Sequence, residues 1–305
     1  MERHFAKHGV ASYCATTVTA PLDKTYAALD HLGSAVEKNT SSDRARLIGL
    51  HLEGPFISHA KRGVHPPVDL LEPTVELFEK LWQSARGKVS VVTIAPELNG
   101  AIDVIRLAAS RNVCLSVGHS NATLAETNTA IDAGASHATH TFNAMRALDH
   151  REPGVLGAVL ADARVSADII ADGIHVHPEI VRLFLRAKGP EKAILITDAI
   201  SATGMGDGKY MLGGFEVEVK GDRCEHEGRL AGSVLTLDRA ISNMTRFATI
   251  SLQQSIRLAT LNPARVLGRN DIGILRPGAR ADFAVLSPEG EVMRAFIGGN
   301  QASAA

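Results

Sequence analysis

The sequence holds little of what would mark several large protein classes. Only three cysteines occur in 305 residues, Cys14, Cys114 and Cys224. They are too few and too far apart for a disulfide framework or a Cys-x-x-Cys metal site, and they fit a reducing, cytoplasmic setting. Aromatic residues make up 4%, too few for a surface that stacks nucleic-acid bases. Charge of one sign is also lacking. The formal net charge is -1, so no broad field attracts nucleic acid or an anionic membrane. Any phosphate must therefore be held by a local cluster. No run approaches the roughly 20 apolar residues of a membrane span. The start, Met1-Glu2-Arg3-His4, lacks the apolar core of a secretory leader. We expect neither a nucleic-acid nor a membrane partner.

What is present is an ordinary globular composition, with 45% hydrophobic and 21% charged residues. Short apolar runs alternate with longer helical patterns. The runs are Val10–Thr19, Leu47–Glu53, Val89–Ala95, Val113–His119, His137–Phe142, Val165–Ala171 and Ala193–Asp198. Each reads as a strand buried on both faces. Helices are predicted over Thr25–Lys38, Thr74–Ala85, Ala101–Ser110, Leu124–Ala133 and Pro178–Ala187. Ser120-Asn121-Ala122-Thr123 offers caps before Leu124, and Gly134 offers a stop. Such alternation argues for a parallel α/β sheet, and the length suits a barrel of about 250 residues. Beyond Asp198 the pattern changes to turn-linked β segments at Lys209–Lys220 and Arg223–Leu230, then helices at Val234–Ala248 and Leu252–Leu261. Two late strands follow, Asp282–Leu286 and Val292–Ile297, and the Ser/Ala end is expected to fray. We divide the chain into a barrel over 1–268, with a β insertion near 208–230, and C-terminal strands of a small β domain over 269–305.

The polar residues cluster at the predicted strand ends: Glu53, His119, His140 and Asp198. A parallel barrel projects those ends to one face, so the four would converge. Two imidazoles and a carboxylate suit zinc or a similar ion with a position left for water, whose acidity the ion raises. A further carboxylate, Asp198, could move the proton. One histidine at a strand end is more often a hydrogen-bonded core residue, and a lone buried aspartate is usually a cap or ion-pair partner. Four at four strand ends are less easily dismissed. Gly54 and Gly118 would let the backbone turn or pass closely. His175 is assigned to substrate, His177 to the surface, and His4, His8, His31 and His226 to solvent.

At these residues the sequence resembles the N-acetylglucosamine-6-phosphate deacetylases of the amidohydrolase superfamily. The resemblance runs through HGVASYCATTVT (8–19), HLEGPFIS (51–58), KRGVHPP (61–67), TIAPE (93–97), VGHSNAT (117–123) and THTFNAM (139–145). It continues through REPGVLGAVL (151–160), ADGIHVHP (171–178), LITDAISATG (195–204), RLAGSVLTLD (229–238), LATLNPARVLG (258–268) and GILRPGARADFAVL (273–286). It implies a TIM-type (β/α) barrel with a small partial β-sandwich domain. By motif it implies metal ligands Glu53, His119 and His140 and a catalytic acid/base at Asp198. His65 matches a residue that helps bind the acetamido group, Val64 beside it is counted with the substrate-binding residues, and Asn143, Ala144, Arg151 and His175 match sugar-phosphate contacts. The Leu230-Ala231-Gly232 turn matches a substrate-lining segment. A guanidinium at Arg151 suits phosphate, whereas its bland alternative is an ion pair with Asp149 or Glu152.

The resemblance implies a divalent cation, zinc foremost with iron, cobalt or manganese as alternatives, and one ion per subunit rather than two. It also implies an amino-sugar phosphate substrate and a homodimer in which Arg151 reaches a neighbouring subunit. The seven strands counted are one short of a barrel, and the family's first strand, with its His-x-His pair or polar replacement, has no counterpart. Two rivals follow: a non-catalytic fragment or sugar-phosphate binder, and a deacetylase of N-acetylgalactosamine 6-phosphate.

Overall fold

The computed structural model describes residues 1–39 and 43–302; the Ser/Ala end expected to fray lies outside the described residues. The main sheet runs in the order β1 (Ser12–Thr17), β2 (Arg46–Glu53), β3 (Val89–Ile94), β4 (Cys114–Val117), β5 (His137–Ala138), β6 (Ser166–Ile170) and β7 (Ala193–Ile196). Pairing from β2 through β6 is parallel. Each strand coincides with a run read from the sequence. β4 and β6 are buried at every position, which explains why these strands read as continuous apolar runs and not as alternation. β5 is the exception in length. Its run was expected to stay extended to Phe142, but the ladder stops at Ala138. His140, Phe142 and Ala144 have φ of +31°, +82° and +49°, a left-handed backbone that no strand accommodates.

The helices are α1 (Glu2–Lys7), α2 (Leu22–Lys38), α3 (Val75–Ser84), α4 (Ala101–Ser110), α5 (Leu124–Ala133), α6 (Gly154–Ala161), α7 (Pro178–Lys188), α8 (Leu237–Ala248), α9 (Leu252–Ala259) and α10 (Leu261–Val266). The cap read before α5 is a full capping box: Thr123 Oγ1 accepts from the Glu126 amide at 3.3 Å and Glu126 Oε2 accepts from the Thr123 amide at 2.8 Å. Gly134 ends that helix at φ +125°. α6 has no counterpart in the sequence reading. Its GVLGAVLA is buried at Gly154, Val155, Leu156, Ala158 and Val159, so no polar face marks a helical period. The expected single helix over Leu252–Leu261 is broken at Thr260, whose φ and ψ of -129° and -83° are not helical. His177 sits exposed, as expected, and its ring also accepts from the Glu179 amide to cap α7. His4, His8 and His226, expected in solvent, are half-buried, and His8 Nδ1 lies 2.9 Å from Asp238.

Two smaller antiparallel sheets complete the fold. One has the order β11 (Arg229–Leu230), β10 (Arg223–His226), β9 (Phe215–Lys220), β8 (Gly208–Leu212). The hairpin between β10 and β11 turns at Glu227-Gly228, both left-handed at φ +49° and +75°, the pairing a tight two-residue turn requires. The other sheet joins β12 (Phe283–Leu286), β13 (Val292–Ile297) and β14 (Asn300–Gln301).

The chain forms two compact units. The first holds residues 1–13, a short stretch ending at Arg46, and the described residues from Ile169 onward; the second holds Cys14–Asn39 and Leu47–Asp168. In the second, α2 to α6 pack neighbour on neighbour over fully buried Leu50, Phe78, Leu81, Ile105 and Leu115. Each such side chain contributes about 1.5–3 kcal/mol of burial free energy. In the first, α7 packs on α8, α8 on α9, and all three on β7.

Candidate active site

The second unit gathers Glu53, His119 and His140 at the ends of β2, β4 and β5. His140 Nε2 lies 2.9 Å and His119 Nε2 3.1 Å from the same Glu53 oxygen, and the two nitrogens are 3.1 Å apart. All three side chains are buried. His119 Nδ1 faces the Lys61 carbonyl at 2.9 Å. A carbonyl only accepts, so the proton of a neutral His119 sits on Nδ1 and its Nε2 turns a lone pair toward a carboxylate oxygen. Lone pairs converge in this way on a cation. Two imidazole nitrogens and one carboxylate oxygen form a donor set that suits a divalent ion such as zinc. Burial alone would raise the Glu53 carboxyl, but the imidazoles of His119 and His140 outweigh it and hold the group well below the usual carboxylate range. Among the described residues this is the single group of three or more such side chains.

Local backbone aims these side chains. His119 has φ +47° and His140 φ +31°, so both leave their strands on left-handed turns that direct the side chains away from the ladder. The Ser58 amide holds the His119 carbonyl at 2.9 Å, and the Ser120 amide holds that of Ala144 at 3.0 Å. Gly118 is required by space: a Cβ there would stand 2.9 Å from Thr139 Cβ and Thr93 Cγ2. Gly54 is required by conformation, at φ +93°, and a Cβ on it would collide with Thr19 Oγ1.

His65 lies beside the cluster, its ring edge-on to His119 with centroids 4.8 Å apart. Burial, with the nearby His119, pushes its pKa down to about 3, so the ring is neutral. The Thr19 amide points at His65 Nδ1 at 3.3 Å, and Thr19 Oγ1 lies 2.8 Å from the same nitrogen. An amide only donates, so Nδ1 accepts and the ring proton sits on Nε2. His65 is thereby a fixed hydrogen-bond donor. Val64 is half-buried in the turn before it.

After β5, Asn143 turns back on His140: its main-chain and side-chain amides both donate to the His140 carbonyl, at 3.0 and 3.2 Å. Arg151 is exposed. In place of the ion pair with Asp149 that was its bland alternative, there is a turn in which the Asp149 carboxylate accepts the main-chain amides of Arg151 and Glu152, at 2.8 and 3.1 Å.

The first unit carries the remaining residues that the sequence proposed for a site. Asp198 follows β7 in a left-handed conformation, φ +50°. Its carbonyl accepts the Ser233 amide at 2.8 Å, and the Ile200 amide donates to the Ser233 carbonyl at 3.0 Å. Ser233 Oγ also donates to the Thr197 carbonyl. Leu230-Ala231-Gly232 therefore runs directly beside Asp198, and a Cβ on Gly232 would come within 3.1 Å of the Asp198 carbonyl. His175 and Asp172 form a pair at 2.6 Å with side chains 7% exposed each. Asp172 also accepts the amides of Ile174 and His175 at 2.8 Å. Burial would raise the Asp172 carboxyl, but His175 and these amides hold it below its ordinary value.

A family model for the amidohydrolase family matches residues 1–302. The chain belongs to the amidohydrolase family. This amidohydrolase is 39% identical over 302 residues to the N-acetylgalactosamine-6-phosphate deacetylase of Escherichia coli O157:H7, covering 98% of this chain and 79% of that protein. It is 38% identical to the N-acetylglucosamine-6-phosphate deacetylase of Vibrio furnissii, over 98% of this chain and 75% of that one. A solved structure of the Mycobacterium smegmatis N-acetyl-D-glucosamine-6-phosphate deacetylase, in complex with N-acetyl-D-glucosamine 6-phosphate, matches with a TM-score of 0.93 and 36% identity. The match covers 98% of this chain and 78% of that one. The fold is thus the TIM-type (β/α) barrel of the amidohydrolases with a smaller antiparallel β portion. No helix among the described residues is long and apolar enough to cross a membrane.

Several residues that support these candidate groups, each within its own unit, went unread in the sequence. Thr19 closes a run taken as plain strand. Ser233 sits in a motif noted for its neighbours. Asp168 and His137, both buried, were absorbed into strands. Only Asp168 left a trace that could have been found: a carboxylate inside the otherwise uncharged Ser166–Ile170.

Proposed function

We propose that this amidohydrolase removes the acetyl group of N-acetyl-D-glucosamine 6-phosphate, releasing D-glucosamine 6-phosphate and acetate. The observation that carries the reading is the convergence of three lone-pair donors, Glu53, His119 and His140, at 2.9–3.1 Å in a buried cluster with the neutral donor His65 beside it. The names of relatives 38% identical and of a solved structure at TM-score 0.93 supply the substrate class.

Glu53, His119 and His140 would hold one divalent ion, zinc foremost, which when bound acidifies a water and polarises a carbonyl oxygen. His65 donates its Nε2 hydrogen to the amide carbonyl oxygen as charge builds there. Asp198 takes a proton from the attacking water and passes it to the departing nitrogen, so that the C–N bond breaks as an amine and a carboxylate form. The left-handed φ of +50° at Asp198 supports this assignment, since such backbone gathers at reacting positions. Arg151, His175 and the Ala144 amide hold the sugar phosphate, and Leu230-Ala231-Gly232 lines the sugar. The same reading includes a cytoplasmic homodimer with Arg151 serving the neighbouring site, which light scattering and an Arg151→Ala KM measurement would check.

A second reading, N-acetylgalactosamine 6-phosphate as substrate, has one observation in its favour: the Escherichia coli relative at 39% identity carries that name. Measuring release of the free amino-sugar phosphate from both epimers with zinc-loaded protein separates them. We expect the higher kcat/KM for the gluco epimer. A preference for the galacto epimer would install the second reading, and no release from either would overturn both.

A further inference from the structure

Asp168 is out of character for its strand. β6 is buried at every position, and Asp168 itself is 4% exposed. A carboxylate in such a place costs on the order of several kcal/mol unless both oxygens are engaged. Both are. Oδ2 faces His137 Nε2 at 2.9 Å, and Oδ1 accepts the main-chain amide of His140. His137 is 6% exposed, and its Nδ1 has no hydrogen-bond partner among the described residues. A neutral ring with its proton on Nε2 satisfies that geometry, because it donates to the carboxylate and leaves only a lone pair on Nδ1.

Three successive amides ahead of and at the turn are pinned. Thr139 donates to the Val117 carbonyl at 3.0 Å, His140 to Asp168 Oδ1, and Thr141 to the Asp168 carbonyl at 2.9 Å. The left-handed φ of +31° at His140 brings the Thr141 amide onto the β6 main chain, so the His140 amide needs another acceptor. The Asp168 side chain supplies it. Main chain and side chain of one residue thus fix both amides that bracket the Cα of His140, and with them the direction of its ring toward Glu53.

We propose that Asp168, itself oriented by His137, is a positioning residue that sets the aim of His140 in the cation site. It acts through the backbone of His140 and touches neither ring nor substrate. The proposal rests on reading His140 as a metal ligand. Groups that orient a ligand typically change metal affinity by about 10–100-fold when removed.

The test is zinc affinity by competition with a chromophoric chelator, together with the visible spectrum of the cobalt-loaded protein, on the full chain. Asp168→Ala is expected to raise the zinc Kd by about 10–100-fold and to change the cobalt spectrum. His137→Leu should follow in the same direction with a smaller change, and His137→Gln, which keeps an N–H for the carboxylate, should stay near the parent. If Asp168→Ala does not fold, Asp168→Asn carries the test. It keeps the oxygen for the His140 amide but turns an N–H2 group on His137, and it should weaken zinc by about tenfold. Parent affinity and an unchanged cobalt spectrum in a folded Asp168 variant, even with a lowered Tm, would overturn the positioning role. Glu53→Gln serves as the control. If it loses zinc while the Asp168 variants do not, the ligand reading stands and the positioning role falls. If it keeps zinc at parent affinity, both fall.

Discussion

The two units present their candidate residues by different means. In the second unit side chains hold side chains: Ser116 to Thr139 at 2.6 Å, Thr139 to Thr93 at 2.8 Å, Thr93 to His51 at 2.7 Å. In the first unit His175 is likewise held by the Asp172 carboxylate, but around Asp198 the frame is main chain, through the amides and carbonyls that join Asp198 and Ile200 to Ser233. A buried side-chain network has high stakes, since losing one member strands its partners. A main-chain scaffold tolerates side-chain exchange and transmits less of it. Aim in the second unit should therefore be fragile to substitution at a distance, whereas Asp198 should be exchangeable with little structural consequence.

The sharpest break of that comparison is Asp198→Asn. Turnover should fall by about 10²–10⁴-fold, the span of a lost acid/base, with zinc content near the parent value by atomic absorption. Equal turnover would remove the role. Glu53→Gln and His119→Asn come next. They should lose most of the bound zinc before any loss of fold is seen by circular dichroism, and intact zinc would count against the ligand set. Thr19→Val is a finer probe. It removes the hydroxyl that faces His65 Nδ1 and leaves the amide, so kcat should fall by about tenfold with zinc content unchanged, and Thr19→Ser should restore it. A parallel loss of zinc would reassign Thr19 to the fold.

The first unit should answer more quietly. Ser233→Ala deletes a part-buried bond to the Thr197 carbonyl and a buried one, at 3.0 Å, from the Leu235 amide. About 1–3 kcal/mol of stability should go, read as a lower urea midpoint. The smallest effect is tied to pH. The Asp172 carboxyl is held below its ordinary value of 3.8 in the folded chain. Its contribution is therefore complete above that value and is lost as pH falls through the folded one. Asp172→Asn should be less stable than the parent by about 1 kcal/mol at neutral pH, and the gap should close below about pH 4. A gap that is constant with pH would mean the charge on Asp172 contributes nothing.

Legibility in the sequence followed the same division. The strands and most helices were plain because apolar runs and caps are local properties: α4 and α5 begin and end where composition and punctuation place them. Glu53, His119, His140 and Asp198 were legible as polar residues at the ends of apolar runs. What stayed hidden depends on φ or on partners distant in sequence. Nothing local announces that β5 stops at Ala138, that His140 turns left-handed, or that Thr19 meets His65 across 46 positions. α6 was hidden for the opposite reason, being too uniformly apolar to show a period.

His119, His140 and Asp198 all hang from left-handed backbone, and this changes how the site must be dissected. Outside glycine, asparagine is among the few residues that tolerate this conformation, whereas alanine meets the full clash of Cβ with the carbonyl oxygen, about 1–2 kcal/mol. An alanine scan here would sum two quantities, the missing functional group and a backbone that relaxes once its side chain is gone. Asparagine keeps the backbone in place and removes only the chemistry. In a molecule built this way the informative replacement is dictated by φ before it is dictated by function.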